Sequence, residues 1–178
     1  MYAEVETLRG QLLVAAPSLF DYFRRSVVLV IEHTDDGAMG VVLNRESETR
    51  VAEAVPQLAP LADTDDLVML GGPVSPQSVV AVGEFGDVAD AGTHVVGQLG
   101  TLDPESGNDS LRRLRVYAGY AGWAPGQLDE ELEQEAWVVV PADDEDPFSG
   151  ADIWSTALQR RGGAYRLLAT MPDDPSQN

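Results

Sequence analysis

The sequence predicts an α/β (α+β) fold, in which one compact domain has a mixed β-sheet covered by helices as a layered sandwich. Two observations support a single domain, since the chain has 178 residues and 44% of them are hydrophobic. The third observation is the order of the elements, because short β-branched runs alternate irregularly with amphipathic helical segments. We expect the domain to span residues 1–171, followed by a disordered tail over residues 172–178 that has nothing to bury.

The first part of the chain is rich in predicted strands. Gln11–Ala16 is an apolar run that ends at Pro17. Val27–Glu32 and Ala38–Leu43 are two further apolar runs, and the polar loop between them contains Gly37. The two runs are therefore predicted to pair as an antiparallel hairpin.

Proline and glycine delimit the elements in the middle of the chain. Val51–Val55 is predicted as a short helix, which Pro56 closes. Leu67–Leu70 and Ser78–Val82 are predicted strands, separated by a Gly-Gly-Pro break. His94–Leu99 is predicted as a further, less regular strand.

The last part contains the clearer helices. Pro125–Glu135 has Leu128 and Leu132 on one face and acidic residues around them, which is typical of an amphipathic helix with proline in its first turn. The other predicted elements are a polar turn at Asp103–Ser110, strands at Arg113–Ala118 and Trp137–Val140, and helices at Asp152–Arg161 and Ala164–Met171. A short helix capped by Asn108 or Asp109 is the alternative for the polar turn.

Charge and composition restrict the function classes. The formal net charge is −19, from 30 acidic residues against 11 arginines, and there is no lysine. Such a charge repels phosphate backbones, which disfavours direct nucleic-acid binding. The absence of cysteine excludes disulfides, thiolate nucleophiles and cysteine metal sites. No apolar run approaches the roughly 20 residues of a membrane span, and no signal peptide is recognisable, so we expect a cytoplasmic protein without a membrane partner.

Three polar segments have residue types that carry chemistry in other proteins, but a structural interpretation is favoured for each. His33 lies beside carboxylates, as in a metal or acid–base site, yet a polar hairpin loop is the better explanation. Asp143–Pro147 lacks the alternating ligands of a calcium loop and fits a solvated acidic loop. Arg112, Arg113 and Arg115 form the densest basic cluster, and we expect them to pair with the acidic excess. The sequence therefore predicts no metal, no cofactor and no catalytic residue.

Two glycine-rich segments are the strongest candidates for a binding site. Gly71 and Gly72 follow a strand, as in a phosphate loop, but no lysine completes such a loop and tight packing explains them as well. Gly119–Leu128 joins a strand predicted to end near Gly119 to a helix predicted to begin near Pro125. Free amides at that helix start could receive an anion, or the glycines could permit close packing while a tryptophan fills the core.

These segments form one crevice if they meet at the same edge of the sheet. All of them lie just past apolar strands, as does the end of the predicted hairpin. The candidate ligand- or partner-binding residues are Asn44, Gly71, Gly72, Gly122, Trp123, Gly126 and Gln127.

Three motifs occur in the order and spacing of a known family. The first contains Gly10–Pro17, Asp21, Phe23, Arg25–Val27, Glu32, His33 and Gly37–Asn44, the second Gly71–Val74, and the third Gly119–Leu128, Glu131 and Trp137. Together they resemble the YqgE/AlgH family of bacterial proteins, with agreement from about Gly10 to Trp154. The segment His94–Leu102 departs from the family pattern, which has a more regular strand followed by a Ser/Thr-rich turn.

The resemblance implies a compact α/β fold on a mixed sheet and a bacterial cytoplasmic location. It implies little about activity, since most members are uncharacterised, one branch is labelled a transcriptional regulator of alginate production, and no catalytic residues are agreed. We favour a non-catalytic module that binds a protein or a small molecule. The alternatives are a transcriptional regulator that acts indirectly or through a partner, and an enzyme that uses carboxylates. A binding module needs an exposed apolar groove, whereas an enzyme needs a pocket with perturbed titratable groups.

Overall fold

The computed structural model describes residues 7–19, 21–103, 108–150 and 152–171; the predicted tail at residues 172–178 lies outside them. The strands of this part of the chain are β1 (Gln11–Ala15), β2 (Val27–Thr34), β3 (Gly37–Val42), β4 (Glu46–Arg50), β5 (Leu67–Leu70), β6 (Val74–Phe85), β7 (Thr93–Val96), β8 (Leu99–Thr101), β9 (Leu111–Trp123) and β10 (Trp137–Pro141). The helices are α1 (Val51–Ala54), α2 (Gln127–Glu133), α3 (Ile153–Arg161) and α4 (Tyr165–Leu168), with 3₁₀ turns at Pro56–Leu61, Val88–Asp90 and Asp146–Phe148.

The strands form one open sheet in the order β10-β1-β2-β3-β9-β6-β8-β7. β4 and β5 branch from this order, because β4 pairs with β5 and β5 pairs with β9. The neighbouring strands are antiparallel except β5 and β9, which are parallel. The protein is therefore a mixed α+β structure with few helices, and its sheet is almost wholly antiparallel. The layered sandwich with helices over the sheet stays a prediction.

The predicted hairpin is confirmed, since β2 and β3 pair antiparallel. The predicted strand His94–Leu99 is instead two short strands, β7 and β8, because Gly97 turns the chain between them with a φ of +53°. The helix expected after Asn108 or Asp109 is wrong, because β9 already begins at Leu111. β4 was not predicted at all.

Alternation along the strands gives the sheet two differently packed faces. The first, called the inner face, holds Leu12 and Val14 of β1 with Leu29 of β2, and α3 packs on it through Trp154. The second, called the outer face, carries two separate clusters. One contains Leu13 of β1 with aromatic residues and α2; the other contains residues of β5 and β9 with α1 and the 3₁₀ turn after it.

A bulge at Gly119 divides β9 between these clusters. Gly119 has a left-handed φ of +73°, which glycine adopts readily. Tyr117 and Tyr120 both pack on the inner face, whereas Ala118 and Ala121 belong to the outer face. The predicted end of the strand near Gly119 is therefore wrong, because β9 continues through this glycine to Trp123, and the register against β6 shifts between the pairs Val74–Tyr120 and Val79–Ala118. Similarly, α2 begins at Gln127 rather than at Pro125.

Within the described ranges, the longest helices fall well short of the apolar length that a membrane-spanning helix requires.

Candidate functional site

The structure brings four of the seven predicted site residues to the bulge of β9. The Val42 N–H donates to the Gly71 carbonyl, and the Gly71 N–H donates to the Ala118 carbonyl, both at 2.9 Å. The chain then crosses β9, so that a Cβ on Gly72 would overlap the backbone of Tyr120. Close backbone packing alone explains why glycine occupies this position.

Asn44 and Gly122 border the same crossing. Asn44 lies two residues beyond Val42, accepts the Val27 N–H at Oδ1 (3.1 Å) and donates from Nδ2 to the Arg25 carbonyl (2.8 Å). A Cβ on Gly122 would stand 3.6 Å from the Val74 side chain. The Asn44 amide thus holds the start of β2 in place.

The other three predicted residues lie where β9 ends and α2 begins: Trp123 is the last residue of β9, Gly126 precedes α2 and Gln127 is its first residue. Trp123 pairs with Ala38 of β3. Gly126 has a φ of +79° and faces open space. Gln127 Oε1 accepts the Ala124 N–H at 3.0 Å, and its Nε2 donates to Glu131 Oε2 at 3.0 Å. The Gln127 amide therefore makes only local hydrogen bonds.

Glu131 is the centre of this region. Its Oε1 accepts the indole N–H of Trp123 at 3.1 Å and that of Trp137 at 2.9 Å. The two indoles meet edge to face at 6.0 Å, and Phe23 stacks on Trp123 at 6.4 Å. We call Trp123, Trp137, Gln127 and Glu131 the indole–carboxylate cluster. Sequence reasoning assigned Glu131 no role, although its i,i+4 spacing from Gln127 was a usable signal.

His33 also has a local partner. Its Nδ1 accepts the backbone N–H of Leu8 at 3.0 Å, which places the proton of the neutral ring on Nε2. In the part of the chain that is described, no three His, Cys, Asp or Glu side chains are placed to hold a metal ion together.

Two of the three arginines of the basic cluster on β9, Arg113 and Arg115, pair with carboxylates as expected, whereas Arg112 makes no ion pair with any described residue. Arg113 contacts Glu84 and Glu145, each at 2.8 Å, and lies 4.0 Å over the Phe148 ring. Arg115 contacts Asp66 at 3.4 Å. Hydrogen bonds to Glu84 and Glu145 raise the pKa of Arg113, and the hydrogen bond from Arg113 lowers the pKa of Glu145.

The acidic loop is only partly solvated, which corrects the sequence interpretation. Asp146 is 4% exposed and accepts two hydrogen bonds from Arg160, at 3.2 and 2.9 Å. A buried carboxylate needs such a partner, because desolvation penalises its charge. The partner comes from α3, which local sequence could not reveal.

An apolar opening lies elsewhere on the outer face. We call it the groove; its volume is about 410 Å³, within the range of small-molecule sites. It lies between the end of α1, the 3₁₀ turn after it, β6 and the end of β8. The lining residues are Val55, Gln57, Leu58, Leu61, Val79, Ala81, Leu102, Asp103 and Asn108.

Strand register explains why the groove is open on one side. Val68, Val116 and Ala81 belong to the cluster covered by α1 and the following turn. The next row of side chains on the same face of the sheet, two residues further along each strand, contains Leu70, Ala118 and Val79. In this row, Leu70 and Val79 both pair with Ala118. Nothing in the described ranges covers this second row, since Leu70 is 41% and Val79 44% exposed. We call Leu70, Ala118 and Val79 the strip, and Val79 joins it to the groove.

The groups with clearly shifted pKa values do not line the groove. They are Arg113, Glu145 and Tyr117. Burial raises the pKa of Tyr117, whose hydroxyl has no hydrogen-bond partner among the described residues. The groove thus combines apolar walls with the amide side chains of Gln57 and Asn108 and the carboxylate of Asp103.

Comparison with known proteins identifies the family. A family model described as AlgH-like (DUF179) matches residues 12–166. A UPF0301 protein of Streptomyces coelicolor is 42% identical over 98% of this chain and 97% of its own length. A crystal structure of a Corynebacterium diphtheriae protein has a TM-score of 0.84 at 34% identity, covering 96% of this chain and 95% of that one. The solution structure of AlgH from Pseudomonas aeruginosa has a TM-score of 0.70 at 28% identity, covering 97% and 98%. The chain therefore belongs to the AlgH-like UPF0301 family.

Proposed function

We propose that this protein is a non-catalytic binding module of the cytoplasm and that its binding surface is the groove with the adjoining strip. The observation that carries the proposal is an apolar opening of about 410 Å³ that continues into the exposed side chains of Leu70 on β5 and Val79 on β6, with the half-buried Ala118 of β9 between them. Exposed apolar surface of this kind is costly in water, and in stable proteins it marks interaction sites.

The distribution of titratable groups supports binding over catalysis. A catalytic pocket gathers groups whose pKa values are shifted towards their task. Among the described residues, the groups with shifted pKa values lie outside the groove; hydrogen bonds to Glu84 and Glu145 raise the pKa of Arg113, and the hydrogen bond from Arg113 lowers the pKa of Glu145.

A neutral apolar dye, Nile red, tests the groove. Ala81→Trp adds an indole to its wall and is expected to reduce the dye's fluorescence enhancement and its affinity by about tenfold, or 1.4 kcal/mol. Ala89→Trp adds the same indole at an exposed position outside the groove and is the matched control. Equal dye binding by wild type and Ala81→Trp would contradict the proposal.

We also propose that any effect on transcription is indirect. The net charge of −19 opposes duplex binding, and Arg113, Arg115 and Arg160 each already contact a carboxylate. A gel shift at about 100 mM salt is expected to show no retention of duplex DNA. Sequence-specific retention at submicromolar protein would favour a direct regulator.

A further inference from the structure

We propose that the free edge of β10 pairs with β10 of a second copy of this chain, so that the two sheets join across a two-fold axis. This surface is separate from the groove, and the inference does not depend on the proposed function. Three observations carry it: the outward backbone groups of β10 are unpaired, both faces of the strand are apolar, and its hydrogen-bond pattern complements itself.

The pairing of β10 with β1 shows which of its backbone groups point outwards. The hydrogen bonds just beyond its two ends join the Ala16 N–H to the Ala136 carbonyl (2.8 Å) and the Ala142 N–H to the Gly10 carbonyl (3.2 Å). Because hydrogen-bonded pairs occur at every second residue of an antiparallel ladder, Val138 and Val140 are the residues that bond to β1. The backbone groups of Trp137, Val139 and Pro141 therefore point away from β1.

This side of β10 is unoccupied in the described part of the chain. β10 is the first strand in the sheet order and pairs with β1 alone. No described residue offers a hydrogen-bond partner to the outward N–H groups of Trp137 and Val139 or to the Pro141 carbonyl. Val139 is half-buried and Pro141 is exposed, so the edge reaches the surface. Unpaired backbone groups at such an edge are a template for another strand.

The composition of β10 suits pairing, unlike that of β4, which also has a free side. Three of the five residues in Glu46–Arg50 are charged and the strand is mostly exposed, which discourages pairing with another chain. β10 has no charged residue. Trp137 and Val139 lie on the outer face of the sheet, and Val138 and Val140 lie on the inner face. Both faces of a joined sheet would therefore be apolar at the junction.

Antiparallel pairing about Val139 satisfies every outward N–H of both copies. In this register Val139 faces Val139 of the second copy, and Trp137 faces Pro141 of the second copy. The two Val139 residues exchange N–H and carbonyl groups, and each Trp137 N–H donates to the opposite Pro141 carbonyl. Pro141 has no N–H and acts only as an acceptor, so its presence on the edge does not prevent this pairing. The self-complementary pattern makes a second copy the occupant that the edge fits.

Charge opposes the pairing at low ionic strength, which gives the dimer a recognisable salt dependence. Just beyond the paired strands, the same register sets Glu135 of one copy beside Asp143 of the other, and both are exposed. The net charge of −19 adds repulsion between the copies. Salt screens such repulsion, since the Debye length falls from about 30 Å at 0.01 M to about 3 Å at 1 M. We therefore expect self-association to strengthen as ionic strength rises.

Sedimentation equilibrium of the full chain at about 1 M salt tests the inference. We expect a monomer–dimer equilibrium that Val139→Pro weakens by about tenfold or more, because proline removes the N–H at the centre of the interface but leaves the bonds of Val138 and Val140 to β1. Val139→Thr keeps the N–H and the branched shape, and this matched control should associate as wild type does. Pro141→Ala adds an N–H opposite the Trp137 carbonyl of the second copy and should tighten association by about tenfold.

Amide hydrogen exchange locates the contact, and it decides the question with Pro141→Ala if Val139→Pro does not fold. The amide protons of Trp137 and Val139 should exchange rapidly in dilute protein and slowly where the dimer is populated, whereas those of Val138 and Val140 should be protected in both states. A protein that stays monomeric at high salt would overturn the inference. Association that neither Val139→Pro nor Pro141→Ala changes, or that leaves the Trp137 and Val139 amides unprotected, would also overturn it, because the copies would then meet at another surface.

Discussion

The two halves of β9, before and after Gly119, contribute to opposite kinds of surface: we call the region around Trp123 the closed half and the region around Ala118 the open half. After the bulge, Trp123 and its neighbours form a closed region in which one carboxylate accepts both indole N–H groups. Before the bulge, Ala118 lies in an uncovered row between two exposed apolar side chains. Glycine and aromatic residues, which are conspicuous in the sequence, therefore mark the closed half. The strip before the bulge consists of Val, Leu and Ala side chains, which sequence reasoning does not distinguish from residues of the core.

A substitution at Gly72, which packs against β9 between its two halves, should have the largest effect on the free energy of unfolding. Gly72→Ala places a methyl group into the Tyr120 backbone at a φ of +154°, so both overpacking and strain oppose it. We expect a loss of about 3 kcal/mol or more in the free energy of unfolding, measured by urea denaturation. Gly126→Ala is the matched control, since its φ of +79° is unfavourable but its surroundings are open, and it should cost about 1 kcal/mol. Equal losses in the free energy of unfolding would show that the backbone conformation of Gly72, and not the steric overlap with Tyr120, makes glycine necessary there.

The closed half depends on Glu131. Glu131→Ala leaves two indole N–H groups of a buried region without their acceptor and should cost about 3 kcal/mol. Glu130→Ala removes an exposed carboxylate from the same helix and should change stability by less than about 0.5 kcal/mol. Urea denaturation of both variants checks this. A loss below 1 kcal/mol for Glu131→Ala would mean that water replaces the carboxylate and that the region is not closed.

The open half contains a buried hydroxyl without a partner, at Tyr117. Tyr117→Phe removes an unsatisfied polar group at no loss of volume, so we expect a gain of about 1 kcal/mol at neutral pH. Burial raises the pKa of Tyr117, so its contribution is present below the unfolded-state pKa and is lost as pH rises through the folded-state pKa. The variant should therefore lose less stability than wild type above about pH 10. Marked destabilisation at neutral pH would reveal a partner for the hydroxyl.

The smallest expected effect concerns the exposed ion pair of β9. Arg113 lowers the pKa of Glu145, so the stabilisation is present above the unfolded-state pKa and is lost as pH falls through the folded-state value. Wild type should thus lose more stability than Glu145→Gln between about pH 5 and pH 3. Glu130→Gln, on exposed helix surface, is the control. Identical acid slopes for Glu145→Gln and wild type would show that solvent screens the pair completely.

The sequence predicted those elements whose signals are local. β-Branched runs around Gly37 predicted the hairpin, and Leu128 with Leu132 predicted α2. β4 was missed because Glu46–Arg50 is an exposed polar edge strand, and β9 was shortened because glycine usually ends a strand.

The candidate site was less accessible to sequence reasoning. The pairing of Arg113 and Arg115 on β9 was predicted from the acidic excess, but Arg112 of the same cluster has no carboxylate partner among the described residues. The burial of Asp146 depends on Arg160 of a distant helix, and the groove is assembled from Val79, Ala81 and Leu102 with a separate helical segment. No local pattern distinguishes such residues from core residues; only strand register shows that α1 leaves one row uncovered.

Binding and stability measured together on Val79→Ser and Gln127→Ala test the central claim most directly. Val79 lines the groove and is 44% exposed, so its variant should keep the free energy of unfolding within about 1 kcal/mol and bind Nile red much more weakly. Gln127 makes local hydrogen bonds only, so its variant should lose about 1 kcal/mol of stability and bind the dye as wild type does. The opposite result, with dye binding lost in Gln127→Ala at unchanged stability and retained in Val79→Ser, would place the binding site at the closed half and contradict the account.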